Sequence, residues 1–404
     1  MMAPLSDDAK DLLSAFDSGE LVRPDPEHLN AVDFALAIAS INGMANVPDS
    51  PGKREIAKLI GKPEHLIVLA IDGLGMNFVN RLPDGAFLRH KLVATMNAPF
   101  PTTTSVAFTT FATGLWPADH GITSWFVYLP EIDASTIILP FVRRADRRPL
   151  TQLGIHPKSI WRNPALLQGS KRDSIFVMPA SISESEFTQY QSAGARIPAY
   201  PDMELDRGLE ILVDHVARAD WPTHDYLYFA KFDGLVHQMG TGHVDTINLL
   251  QRINASLERF ARELQGRATV IVMADHGHLD EPSDGSIDIS PDSAPGKLLR
   301  VAPSGDYRVA YFEVEEAKSE EFVRVFRREY GDWTFLLSID EIDELRLFGP
   351  DPLAEVTRSR MGQWMAISRG ARAFSYVDMP DSDRLVSGHS GLSHAEMDIP
   401  LIVF

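Results

Sequence analysis

The chain has 404 residues, 44% of them hydrophobic, with 27 Gly and 27 Pro, which is the composition of a folded protein and not of a disordered or fibrous one. Its 38 Lys and Arg against 56 Asp and Glu give a formal net charge of −18, which repels polyanions at long range and argues against coating a nucleic-acid polymer. Cysteine is absent, which excludes disulfides, Cys-ligated zinc, iron–sulfur clusters and a Cys nucleophile; any metal site must use His, Asp, Glu, hydroxyls and water.

The opening stretch MMAPLSDDAKDLLSAFDSGE is acidic and lacks a basic segment before an apolar core, so it does not read as a secretory signal. The longest apolar runs are far short of a membrane span. No membrane association and a cytoplasmic location are therefore expected. Residues 1–61 read as a helical lead-in, with helix-like apolar spacing over 31–44 (AVDFALAIASINGM) ending near Gly43. Continuous apolar runs then predict fully buried parallel strands at 66–71 (LIVLAI), 174–178 (SIFVM), 226–232 (YLYFAKF) and 269–274 (TVIVMA). The final run at 399–404 (IPLIVF) looks like another such strand.

Between these lie amphipathic helices, marked by Leu205, Leu209, Leu212 and Val216, and by Ile247, Leu250, Ile253, Leu257, Phe260 and Leu264. Strands alternating with helices predict an α/β fold: a central, mostly parallel sheet sandwiched by helices. Residues 282–300, rich in Asp, Ser, Pro and Gly, read as a loop. A β-α-β-α pattern follows, so 298–350 is expected to be a small inserted α+β cap that shapes the entrance to the site. The core then comprises 62–297 and 351–404.

Three aspartates are expected where apolar strands end: Asp72, Asp233 and Asp275. In open α/β sheets ligands bind at the carboxyl ends of the strands, and parallel strands would gather these carboxylates on one edge. A lone Asp there commonly does no more than start a turn. Here, however, Asp233 and His237 are four residues apart, Asp275 and His276 are adjacent, and His389 lies in a Gly/Ser loop before the last strand. Imidazole and carboxylate are normal ligands for Zn²⁺ or Mn²⁺. Together these residues suffice for two metals and fit phosphoryl-transfer chemistry. A run of hydroxyls, 102–105, follows Pro101 and precedes small and apolar residues, as at a helix N-terminus. There, free N–H groups favour an anion and a hydroxyl can serve as nucleophile.

The ordered set VLAIDGLG, FPTTTSVAFTTFATGLWPADHGI, FDGLVHQMG, MADHGH and GHSGLSHAEMDIPLIVF resembles the alkaline phosphatase superfamily. Its nearest branch is the type I phosphodiesterase / nucleotide pyrophosphatase group, with phosphonoacetate hydrolases as neighbours. The resemblance runs from about residue 62 to the C-terminus. It implies an alkaline phosphatase-like fold and two divalent metal ions, zinc in the first place and manganese as the alternative. It makes Thr104 the nucleophile, with Thr102 and Thr103 its nearest competitors. It places Asp72, Thr104, Asp275 and His276 around one metal, and Asp233, His237 and His389 around the other. His389 fits the family register and His394 sits in a variable position; His243 and His278 likewise lie near ligands but outside motif positions.

Two departures bear on substrate. Ser105, Val106 and Ala107 stand where phosphodiesterases of this group carry Phe-Pro-Asn, and Trp125 stands where they carry an Asn that contacts a phosphate oxygen. Trp125 could stack on a substrate ring or pack. The resemblance implies hydrolysis of phosphodiester or pyrophosphate bonds in a small phosphate ester of nucleotide type, through a phosphothreonine. Alternatives are a phosphonate or phosphomonoester hydrolase on the same site, a phosphoglycerate mutase-like isomerase, or a catalytically dead metal-binding protein.

Overall fold

The aliphatic run after residue 64 forms the strand His65–Ile71, buried from Leu66 onward, as expected of a strand with both faces covered. The computed structural model describes residues 4–283, 285–375 and 385–404; parts of the expected 282–300 loop and 351–404 core segment, at 284 and 376–384, lie outside these. His65–Ile71 sits at the centre of a seven-stranded sheet ordered Leu92–Asn97, Asp398–Val403, Thr269–Met273, His65–Ile71, Thr223–Phe229, Asp173–Pro179 and Ala199–Tyr200. From Thr269–Met273 to Ala199–Tyr200 every pairing is parallel.

Two expectations about this sheet are corrected. The last strand is buried but antiparallel to both neighbours. It follows the His389 loop with only the short helix His394–Met397 between, so the chain re-enters the sheet from the edge where the other strands finish. The run at 226–232 is displaced: the strand is Thr223–Phe229, and the helix Lys231–Met239 begins almost at once. Phe232 is fully buried from that helix and meets Phe78 edge-on, at 4.9 Å between ring centres. One apolar run thus spans a strand–helix junction, and Asp233 lies in the first helical turn, not at a strand end.

Helices cover the sheet in two groups. Ala31–Ile41 packs on Pro51–Ile60 and Thr104–Thr113, while Val244–Leu264 packs on Leu205–Arg218 and Lys231–Met239. Asn30 caps Ala31–Ile41 by accepting from Asp33 N, and Ser50 caps Pro51–Ile60 by accepting from Lys53 N; such caps contribute about 1 kcal/mol each.

A second seven-stranded sheet is antiparallel throughout. Its order is Thr334–Ser338, Trp364–Ser368, Val309–Phe312, Ser304–Gly305, Phe126–Leu129, Ala134–Ile137 and Val142–Arg143. The helices Ser319–Tyr330 and Ile339–Glu344 flank Thr334–Ser338 along the chain. The first helix, Asp7–Ser18, packs on the same sheet, where Ala9 and Leu12 join a core with Tyr311 and Phe335.

Candidate metal centre and catalytic threonine

Asp72 follows the strand His65–Ile71, and Asp275 follows its parallel neighbour Thr269–Met273. The two turns meet: Gly73 N donates to Asp275 Oδ1 at 3.0 Å. Gly73 has φ +71°, and a Cβ there would come 2.7 Å from His278 Nε2. Gly277 is equally constrained, since its Cβ would fall 2.0 Å from Ala395 O. The Asp-Gly and His-Gly steps of the sequence are therefore what lets the metal-edge turns close on one another.

Thr104 is the first residue of helix Thr104–Thr113, with Thr103 as its cap residue. Its Oγ1 lies 3.3 Å from His276 Nε2. His276 Nε2 is in turn 3.3 Å from Asp275 Oδ2 and 3.6 Å from Asp72 Oδ1. Asp233 and His237 lie one turn apart on Lys231–Met239, with Asp233 Oδ1 3.3 Å from His237 Nε2 and 4.0 Å from His389 Nε2. The two groups adjoin, because the His276 and His389 rings stack with centres 3.7 Å apart. The sequence-identified residues thus form two compact sets, Asp72/Asp275/His276 and Asp233/His237/His389, in each of which the candidate ligand atoms lie within 4.8 Å of one another.

The donor chemistry suits divalent cations. His237 Nδ1 lies 2.7 Å from Ser387 O, His389 Nδ1 2.8 Å from Thr102 O, and His276 Nδ1 3.1 Å from Gly277 O. A carbonyl only accepts, so each Nδ1 carries a hydrogen and it is the Nε2 of each ring that faces the site. Asp72 Oδ1 and Asp275 Oδ2 are buried without a hydrogen-bond partner. Such orphaned carboxylate oxygens are costly unless a cation meets them. Burial, then the negative charges of Asp275 and Asp233, push the Asp72 carboxyl well above the usual range, although Tyr228 donates to its Oδ2. Burial would also raise Asp233, but the charges and hydrogen bonds of His237 and His278 outweigh it and hold that carboxyl well below the ordinary value. Burial and the neighbouring His276 and His237 depress His389 well below its ordinary value.

The competing residues are elsewhere or otherwise engaged. Thr102 donates to Gly391 O at 2.9 Å and accepts from Ser390 N at 3.0 Å; it holds the His389 loop, where Ser390 sits at φ +96°. His394 is 60% exposed and paired with Asp398. His243 caps Val244–Leu264. His278, outside the motif positions, is nonetheless in the site: it is buried, with Nε2 2.9 Å from Asp233 Oδ1. Burial lowers it to about 4, against the pull of Asp233. Tyr228 and Asp306 were also not singled out in the sequence. Tyr228 carried a signal, since its strand leads to Asp233; Asp306 carried none, being brought from the second sheet.

These groups open into a cavity of about 770 Å³, with Asp72, Thr104, Asp233, His237 and His389 on its wall. Trp125 lies on that wall too. From 298–350, among the described residues, only Asp306 and Tyr307 reach it. Most of the remaining wall comes from 125–140 and 178–203. Among the described residues no helix is long and apolar enough to cross a membrane.

Residues 66–370 match the family model of type I phosphodiesterase / nucleotide pyrophosphatase. A search of curated proteins finds no match. Among solved structures, the chain is similar to murine ectonucleotide pyrophosphatase / phosphodiesterase 5, at 16% identity over 83% of this chain and 87% of that one, with a TM-score of 0.63. The human counterpart gives 14% identity over 84% and 87%, with a TM-score of 0.65. Phosphonoacetate hydrolase from Sinorhizobium meliloti 1021, in complex with phosphonoformate, gives 16% identity over 84% and 90%, with a TM-score of 0.62. At these identities the likeness is one of fold, and it is the alkaline phosphatase-like arrangement of a mixed, mostly parallel sheet flanked by helices.

Proposed function

Because the chain belongs to the type I phosphodiesterase / nucleotide pyrophosphatase family, and is thus a hydrolase of the phosphoesterase class, we propose that it cleaves phosphodiester or pyrophosphate bonds of small, nucleotide-type esters through a phosphothreonine on Thr104. The observation that carries this reading is the placement of Thr104. It stands at a helix N-terminus, 3.3 Å from His276 and on the wall of the cavity that Asp72, Asp233, His237 and His389 also line. The murine phosphodiesterase 5 has also been solved in an inactive form in complex with AMP.

Asp72, Thr104, Asp275 and His276 would hold one divalent ion, and Asp233, His237 and His389 a second, zinc in the first place and manganese as the alternative. Bound there, such ions supply positive charge to the transferring phosphoryl group and lower the pKa of oxygens beside them. The chain's own part is positional. The helix N-terminus directs free N–H groups at the phosphate. Thr104 Oγ, losing its proton, bonds to phosphorus as the bond to the leaving oxygen breaks, and the departing group takes up a proton. Water then adds to the phosphothreonine on the side the leaving group has vacated, restoring the Thr104 hydroxyl and releasing the phosphate product. Tyr228 fixes the Asp72 carboxylate, and the backbone carbonyls behind His237, His276 and His389 fix the rings.

A second reading, hydrolysis of a phosphonate or phosphomonoester by the same residues, is favoured by Trp125 on the cavity wall, where diester-cleaving relatives are expected to carry an Asn. A panel of phosphate diesters, monoesters, nucleotides and phosphonates, assayed with zinc, separates the two. Turnover of bis(p-nitrophenyl) phosphate above that of p-nitrophenyl phosphate supports the first, and the reverse order the second. No turnover of any ester by metal-loaded protein would reject both.

A further inference from the structure

The cavity is much larger than a phosphate, and its character changes away from the metal ligands. Phe108, Leu139, Met178, Ile182, Phe187 and Met203 make up much of the rest of its wall. The hydroxyls among them are turned to the chain: Thr188 donates to Ile182 O at 2.9 Å, and Ser185 caps helix Glu186–Gln191. Tyr226 is different. It is only 6% exposed and lies on the wall, with the side-chain amide of Gln191, another wall residue, beside its hydroxyl.

The charges on this wall are equally informative. Lys231 is the only Lys or Arg among the described lining residues, which also include the carboxylates of Asp202 and Asp306. Metal ions held by the ligand set would neutralise the phosphoryl group that reacts. The further phosphates of a nucleoside polyphosphate would need cations of their own, and proteins ordinarily supply Arg or Lys for that purpose. An apolar group, by contrast, gains from leaving water for such a wall.

We infer that the cavity selects phosphate esters of an uncharged, largely apolar alcohol or phenol, an aryl or alkyl group with one hydrogen-bonding atom for Tyr226, over nucleoside polyphosphates. The inference rests on the phosphoesterase reading above and, within it, favours phosphate esters of an apolar alcohol or phenol over the nucleotide pyrophosphate substrates.

The test is binding to the zinc-loaded full chain, read by calorimetry with methyl-, hexyl- and phenylphosphonate and with adenosine diphosphate. From methyl to hexyl or phenyl the dissociation constant should fall at least about tenfold, as burial of several methylenes requires. Both should bind more tightly than adenosine diphosphate. In Ile182→Asp the gain from methyl to hexyl should shrink to about threefold or less. A flat phosphonate series in the wild type, or tighter binding of the diphosphate, overturns the inference. Turnover of the corresponding p-nitrophenyl esters is measured alongside. An apolar gain in binding without any ester cleavage would reject the phosphoesterase reading and leave the selectivity standing. Cleavage with a flat series would do the reverse.

Discussion

His278 Nε2 lies 2.9 Å from Asp233 Oδ1, closer than His237 at 3.3 Å or His389 at 4.0 Å. The three rings are not equivalent. His237 and His389 each spend Nδ1 on a backbone carbonyl and offer Nε2. His278 turns Nε2 itself onto the carboxylate, so it must donate there, while its Nδ1 lies 3.4 Å from Ser387 Oγ. We read its part as orienting Asp233; the alternative is a ligand role, since Asp233, His276 and His278 also bring their ligand atoms within 4.8 Å of one another. We expect His278→Gln to weaken one of two metal equivalents by about 10- to 100-fold, the usual effect of removing a ligand's orienting partner. A metal titration in which both equivalents are lost together would instead make His278 a ligand or a folding determinant.

Thr104→Ala should abolish turnover and spare metal binding. Loss of a nucleophile that forms the intermediate is expected to cost a thousandfold or more, ~4 kcal/mol of barrier, while the ligand set loses one weak oxygen. Thr102→Ala should act differently, because Thr102 bonds both Gly391 and Ser390. It should loosen the His389 loop and raise the metal requirement before it lowers the saturated rate. More than about a tenth of wild-type turnover in Thr104→Ala, only ~1.4 kcal/mol of barrier, would exclude Thr104 as the nucleophile.

The loop carrying His389 is locked from the second sheet. Arg308 and Glu396 pair at 3.1 Å with both side chains 1% exposed. Arg308 also donates to Leu279 O, and Glu396 accepts from Gly391 N. Removing one partner of a buried pair leaves the other charge stranded, typically at about 3–5 kcal/mol. We expect Arg308→Ala to lose stability on that scale in denaturant unfolding of the metal-free chain. A change below about 1 kcal/mol would mean that water replaces the pair.

At the opposite side of the fold, His215 sits between Asp225 at 2.9 Å and Asp173 at 3.1 Å. The hydrogen bond to Asp225 raises His215 above its ordinary 6.5, against partial burial. Burial raises Asp225 itself, with His215 opposing. For a histidine whose pKa is raised on folding, the stabilisation is complete below the unfolded value and is lost as pH rises through the folded one. The difference in melting temperature between wild type and His215→Gln should therefore be largest near pH 6 and diminish on the alkaline side. A difference that grows with pH would contradict this assignment of charge.

Much of this was legible in the sequence, and the exceptions have physical causes. Leu66–Ile71 and Thr269–Met273 announce themselves because both faces of each strand are covered. Thr223–Phe229 does not, because it opens with Thr, His and Asp that are nonetheless buried, and because Phe232 extends the apolar run into a helix. The antiparallel sense of Asp398–Val403 is fixed by where the His389 loop leaves the chain, which composition does not record. The ligand motifs were visible because strand ends and a helical turn give them local spacing. His278 was discounted by register, yet it shares a tight turn with His276. The apolar cavity wall had no local signal, since residues 108, 139, 178–187 and 203 meet only in the folded chain.

The most direct measurement is anomalous diffraction at the zinc edge from crystals of the zinc-loaded chain. Two peaks are expected about 4 Å apart, the usual spacing of such pairs. One should lie among Asp72, Thr104, Asp275 and His276, and the other among Asp233, His237 and His389. A single peak, or zinc held by His394 or away from Thr104, would contradict a two-metal phosphoesterase built on this threonine.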